Sequence, residues 1–252
     1  MAAYQEIARK ARVKVLKMIY DAQVSHIGSN FSCIDILTVL FEKADLTKDK
    51  IIFSKGWIAA SAYYFLAEKG IIPKEDLEKF CKEDSFYIGL VEPSVKGIHY
   101  SGGSMGQGLP AAVGYALSKK LKKEEGKVYV LLSDGECQIG TFYESSLIAG
   151  KYKLDNLVVI ADDNKLQALG KTNDILRVPW DFTEFHYHPN HYINGHNYQE
   201  IEYAIESSQS YPKFIHANTI KGKGVSFMEN NNEWHYRSPE KWEYEKALEE
   251  LR

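Results

Sequence analysis

Val128–Thr172 reads VYVLLSDGECQIGTFYESSLIAGKYKLDNLVVIADDNKLQALGKT, and its pattern decides the fold class. Two short apolar runs, Val128–Leu132 and Leu157–Ala161, are rich in Val, Leu and Ile, and an acidic cluster follows each at once. Buried parallel strands read this way, with polar groups at their carboxyl tips. Between them, Thr141–Lys153 predicts a crossover helix with Phe142, Leu147, Ile148 and Tyr152 on one face. Strand, loop, helix, strand is a βαβ unit, and ligands collect at the carboxyl ends of the strands in such sheets. Asp134 follows the first strand and Asn164 the second, so two oxygen-bearing side chains can converge. A carboxylate, a carboxamide oxygen and a nearby backbone carbonyl are hard ligands that suit Mg²⁺ or Ca²⁺, particularly beside a bound diphosphate. The alternative is that Asp134 and Asn164 only cap turns or helices.

Outward from this unit, residues 4–22 predict an amphipathic helix through Ile7, Ala11, Val15, Met18 and Ile19. His26 then lies among small residues, either facing a cleft or ending a helix beside Gly28. Ser32 is the expected N-cap of a helix over Cys33–Glu42. Ile51–Ser54 predicts a strand, 58–69 a helix, and Pro73 the start of another helix. Residues 83–100 read as irregular surface. Gly102–Gly108 opens a helix over Leu109–Leu121, where glycines either bring N–H groups to a phosphate or allow close helix packing. Val178–Asn190 is an expected loop. His186, His188, His191 and His196 cluster around it, as loop and strand-edge histidines or as a metal site. A strand over His191–Asn194, a helix over Tyr198–Ser208 and a strand over Lys213–Thr219 follow. Lys221–Gly224 lacks the spacing of a Walker A loop. Residues 225–238 form a polar loop holding His235, and Pro239 starts a last helix.

The 252 residues carry no internal repeat or evident linker, so a single domain over 1–252 is the simplest expectation. A net charge of −3 argues against a nucleic-acid surface. The three scattered cysteines argue against a disulfide framework and for a cytoplasmic protein. No apolar run approaches the roughly 20 residues that span a bilayer, so no membrane partner is expected.

Asp134-Gly135, then 27 residues, then Asp163-Asn164, resembles the thiamine diphosphate motif. Four stretches, in order and spanning nearly the whole chain, resemble the N-terminal, diphosphate-binding part of transketolase. They are SHIGSNFSCIDILTVLF (25–41), SGGSMGQGLPAAVGYAL (101–117), LIAGKYKLDNLVVIADDNKLQALGKT (147–172) and TIKGKGVSFMENNNEWH (219–235). The resemblance implies an α/β fold, a parallel sheet flanked by helices on both faces. It implies that Asp134, Asn164 and the Leu166 carbonyl bind Mg²⁺, with Ca²⁺ as an alternative. Gly135 would contact the diphosphate, Gly103 and Met105 would lie beside the aminopyrimidine, and Glu136 and Trp57 would belong to the cofactor-binding set. His26 and His235 would be catalytic, and Glu144 would lie at a subunit interface. The pyrimidine-binding domain that completes such a site would come from a separate C-terminal subunit, as in a heterotetramer. Substrates would be a ketose or 2-oxo acid donor and an aldehyde or ketone acceptor, such as a sugar.

The match is imperfect at functional places. Ser133 stands for the first Gly of Gly-Asp-Gly, Trp57 and Leu90 for two histidines, and Ile139 for a glutamate. Gly102-Gly103 replaces a Thr-Gly pair, and His99 an acidic residue. Trp and Leu cannot donate a histidine's hydrogen bonds, so an altered substrate is expected. Two other readings stand beside this one: the alpha subunit of a 2-oxo acid dehydrogenase, and a non-catalytic interaction subunit on the same fold.

Overall fold

Residues 2–185 and 187–252 are described by a computed structural model. Five β-branched or aromatic segments form one parallel sheet: β1 (Lys50–Phe53), β2 (Val128–Ser133), β3 (Leu157–Asp163), β6 (Asn190–Asn194) and β7 (Lys213–Asn218). Their order is β1-β2-β3-β7-β6, with Val128 opposite Leu157 and Asp163 opposite Asn218. Side chains alternate across the pleat. Tyr129, Leu131, Val158 and Ile160 enter the core on one face, and Val128, Val130, Leu132, Leu157 and Val159 the core on the other.

The first face is covered by α1 (Ala2–Ala22), α2 (Ile27–Lys43), α3 (Ala59–Glu68), α7 (Tyr198–Glu206) and α8 (Lys241–Glu250). The second is covered by α4 (Gly108–Lys122), α5 (Gly140–Lys151) and the segment through Phe182 and Tyr187. This is the parallel, doubly covered sheet expected from the opening stretch. A small hairpin, β4 (Leu166–Gln167) with β5 (Gly170–Lys171), and the single turn α6 (Thr172–Ile175) follow β3. No helix among the described residues is long and apolar enough to cross a membrane.

Several expectations change. Helix α2 begins at Ile27, so Ser32 is no cap: it is fully buried in mid-helix, and its hydroxyl donates to the Asp162 carboxylate at 2.6 Å. A polar run that looked like a helix start is instead satisfied by a buried partner from β3. After Pro73 only a 3₁₀ turn forms, over Lys74–Lys79. In α5 the buried residues are Phe142, Ser145, Ser146, Ala149 and Gly150. Leu147, Ile148 and Tyr152 are exposed, because the small residues are the ones that let α5 pack closely against the layer beneath. His26 is in the left-handed region (φ 72°), immediately before α2 rather than at the end of α1.

Candidate active site

The carboxyl ends of β1, β2 and β3, the loop after β7 and the start of α2 enclose a cleft of about 420 Å³. Its walls include His26, Trp57, Gly103, Met105, Asp134 and Gly135. Asn164, Leu166 and His235 complete the expected set that the structure brings together here. Glu136 is the exception. It is fully buried behind the wall, with carboxylate oxygens accepting from Ser54 Oγ, the Gly106 amide at 3.0 Å and the Ser133 amide at 2.9 Å. Its part is to tie the loops after β1 and β2 to the glycine-rich loop, because every acceptor position it has is turned inward. A wider groove of about 760 Å³ lies beyond Asp163 and Lys165, lined by Trp180, His216 and Asn194. It contains none of the expected site residues.

The polar groups are arranged in two layers. In the lower one, Lys55 and Asp162 form a buried ion pair, and the Ser32 and Thr219 hydroxyls also donate to Asp162. Asn164 is tied to this layer through its amide nitrogen, which donates to Ser32 Oγ at 3.3 Å. That bond assigns the other end of the amide: Oδ1 accepts from the Leu166 amide at 3.1 Å.

Above lies Asp134, buried, accepting from the Gly135 amide at 2.8 Å and from the Thr172 hydroxyl. Burial raises its pKa, and Asp163 and Asp162 add to the rise. The Leu166 carbonyl already faces a cation, the Lys221 ammonium at 3.0 Å. Carboxylate, amide oxygen and carbonyl are the hard oxygen set that Mg²⁺ or Ca²⁺ takes, and the residues fit such an ion. Among the described residues no three His, Cys, Asp or Glu side chains cluster as metal ligands, so an octahedron here needs oxygens from a bound molecule.

Lys221 was not singled out from the sequence, although its Lys-Gly-Lys-Gly loop follows β7 directly. It is fully buried, its Nζ lies 2.5 Å from His235 Nδ1, and its pKa falls to about 7, through burial first and then Lys55. His26 falls to about 4 and His235 to about 3, burial being the largest cause and Lys221 the next. Both imidazoles are therefore neutral near pH 7. Their rings are 5.2 Å apart, and Trp57 and Tyr236 flank His26 at 6.1 and 5.6 Å. Leu169, 90% exposed, overhangs the same cleft. Leu90 packs beside Gly103, with its Cδ1 about 4 Å from where a Cβ would stand.

The histidine cluster disperses. His191 Nε2 meets Ser207 Oγ at 2.9 Å, His196 Nδ1 meets Asp35 at 2.8 Å, and His186 lies outside the described residues.

A parallel sheet with helices on both faces, and a cleft lined by Asp134, Asn164 and Leu166 with Lys221 buried behind Leu166 and His235, defines an α/β protein with a polar cleft at its strand tips. The model of the transketolase thiamine diphosphate binding domain matches residues 3–241, and the chain belongs to that family. It is 33% identical to an apulose-4-phosphate transketolase subunit of Phocaeicola vulgatus, over 97% of this chain and 92% of that one. It is 34% identical to a 6-deoxy-6-sulfo-D-fructose transketolase subunit of a Clostridium species, over 89% of this chain and 87% of that one. The crystal structure of transketolase from Campylobacter jejuni superposes with a TM-score of 0.95 at 30% identity. All of this chain then covers 43% of that one, so it spans under half of a full-length transketolase but nearly all of the separate subunits.

Proposed function

We propose that this chain is the N-terminal, diphosphate-binding subunit of a two-component transketolase-like transferase that uses thiamine diphosphate. The observation that carries the reading is the convergence of the Asp134 carboxylate, the Asn164 amide oxygen and the Leu166 carbonyl beside a buried Lys221. Asp134, Asn164 and the Leu166 carbonyl would hold Mg²⁺, with Ca²⁺ able to replace it. Gly135 leaves the main chain open to diphosphate oxygens, and Lys221 neutralises part of their charge. Gly103 and Met105 line the cleft and would contact the cofactor's aminopyrimidine. The cofactor, when bound, supplies the carbanion chemistry by which a two-carbon unit is moved between carbonyl carbons.

The protein's own residues bind, orient and move protons. His26 and His235 are neutral, so each can accept a proton from a substrate hydroxyl or donate its N–H to an oxyanion. Trp57 lines the cleft with an indole that can donate but not accept, and Leu90, packed beside Gly103, can do neither through its side chain. That supports a donor other than the ordinary pentose phosphates, and relatives named for apulose 4-phosphate and a sulfofructose point the same way. The substrates are small sugars or 2-oxo acids.

The site is open on the side overhung by Leu169. A partner subunit with a pyrimidine-binding domain closes it. Relatives of this length are named as single subunits of a transketolase, which supports that arrangement. Exposed Leu147, Ile148 and Tyr152 beside Glu144 on α5 give a face for burial against a second copy, consistent with a heterotetramer. We take residues 1–252 as one diphosphate-binding domain, and three free cysteines support a cytoplasmic location.

The test is assembly with the partner subunit. Turnover that requires thiamine diphosphate, a divalent cation and both subunits is the expected result. No cofactor-dependent turnover with the cognate partner, across ketose and 2-oxo acid donors, would sink the proposal.

A further inference from the structure

Contacts outside the cleft converge on the segment that carries Lys221. Residues 219–224 leave the carboxyl end of β7 and are gripped from three sides. Arg12 of α1 donates through Nε to the Lys223 carbonyl at 2.8 Å. The Gly222 amide donates to the Gly28 carbonyl at 3.0 Å. The third grip is His196, whose Nε2 lies 2.9 Å from the Ile220 amide nitrogen. A backbone amide can only donate, so Nε2 carries the lone pair and the ring proton sits on Nδ1. That proton is donated to Asp35 at 2.8 Å. Asp35 is itself held by the Arg12 guanidinium through two bonds, 3.1 and 2.7 Å, and by the Tyr198 hydroxyl at 2.8 Å. The ring is thus fixed at both nitrogens and holds the residue immediately before Lys221, while the Gly222 bond holds the residue after it and the Asn230 amide donates to the Lys221 carbonyl at 2.9 Å.

Lys221 depends on its backbone more than most lysines do. Its ammonium is buried, is bonded to the Leu166 carbonyl and His235, and has no carboxylate partner among the described residues. The place of the charge is set by where the stem starts and by what its tip touches.

We propose that His196 is a positioning residue of the cleft: braced by Asp35, it holds the Ile220 amide and so fixes the backbone from which Lys221 meets a bound diphosphate. This rests on the cofactor reading above and adds the device that aims its cation. The pairing resembles a catalytic Asp–His dyad, but both ring nitrogens are spent on protein partners.

The experiment is a double-mutant cycle on the assembled two-subunit protein, titrated calorimetrically with thiamine diphosphate in Mg²⁺, with a thermal melt of each variant. His196→Leu removes both polar contacts, and His196→Gln offers a donor and an acceptor again. His196→Leu is expected to weaken cofactor binding by about tenfold, and His196→Gln by less than about threefold. In a Lys221→Met background His196→Leu should change affinity by less than about twofold, because its effect passes through the missing ammonium. Equal weakening in both backgrounds, or a glutamine variant as weak as the leucine one, overturns the proposal. Should the leucine variant not fold, His196→Asn, too short to span both partners, carries the same expectation. If the wild-type assembly binds no thiamine diphosphate, the cofactor reading fails and this inference with it; binding without the non-additivity sinks only the positioning role.

Discussion

Asp134 is a carboxylate placed where a fold without a ligand gains little from it. It is buried, its hydrogen bonds come from one amide and one hydroxyl, and Asp162 and Asp163 stand nearby. Burying a carboxylate that no cation bonds directly costs free energy that the more distant Lys221 and Lys55 only partly offset, and its raised pKa is the same cost seen as proton affinity. Asp134→Asn keeps the shape and the Gly135 bond but removes the charge. We expect its apo form to melt no lower than the wild type, while metal-dependent cofactor binding falls about 100-fold or more. Calorimetry and a melt on the same preparation check both halves, and a destabilised variant with intact binding would refute them. His26 and His235 give a pH dependence of definite sign. Folded, they titrate at about 4 and about 3, against about 6.5 in an unfolded chain. Between those values the unfolded state holds protons that the folded state does not, so stability rises with pH there. Their contribution is complete above about pH 6.5 and is lost as pH falls towards 4. Urea midpoints at pH 7, 5.5 and 4.5 should decline in that order; a flat or rising series would contradict the assignment.

The elements that position the site were readable to different degrees, for physical reasons visible in particular residues. Strands β2 and β3 were legible because a strand buried on both faces must be apolar along its length, and their tips were legible because the acidic residues follow at once. Helix α5 was legible as an element but not as a face: Phe142 is buried with small residues while Leu147 and Ile148 point outward, so the large apolar residues do not share one face. Ser32 and Glu136 were misplaced because their partners come from loops and strands distant in sequence. Lys221 was missed because a buried lysine without a carboxylate has no local signature. The glycine-rich loop had two readings, and the structure divides them by residue. A Cβ on Gly102 would stand 2.4 Å from Gly56 Cα, so this glycine lets two backbones touch. Gly103 faces the cleft, its nearest neighbour Leu90 about 4 Å away. Gly102→Ala should therefore cost about 1–3 kcal/mol of stability, in the range of other overpacking changes. Gly103→Ala should change stability by less than about 0.5 kcal/mol yet weaken cofactor binding, since the added methyl enters only the cleft. Equal losses of stability in the two variants, read from denaturant curves, would remove the distinction.

At the scale of the whole molecule, the cleft has a closed floor and an open rim. The floor of the cleft is rigid: Lys55, Asp162, Ser32 and Thr219 are buried and mutually bonded beneath Asn164. The rim is open: Leu169 is 90% exposed, and Tyr236 and Met105 are also exposed to solvent there. Apolar side chains around a polar floor are what a cofactor and a second subunit would cover, so the isolated chain should bind thiamine diphosphate far more weakly than the assembly does. The residues that line the mouth then decide what the assembly accepts. A pocket that donates hydrogen bonds to sugar hydroxyls discriminates strongly against ligands lacking them, and a pocket without those donors loses its preference for ligands that have them. With Trp57 and Leu90 in place, transfer from xylulose 5-phosphate to ribose 5-phosphate should run at least about tenfold below that from the preferred donor, in kcat/KM. Trp57→His replaces a donor-only indole with an imidazole that can both donate and accept beside His26, and should narrow that gap, chiefly by raising kcat/KM for the pentose phosphate. A screen of ketose phosphates, modified ketoses and 2-oxo acids with the assembled enzyme supplies the comparison. If the wild-type assembly already handles the pentose phosphates as well as any other donor, the mouth is not what sets the substrate, and Trp57 has to be explained by packing alone.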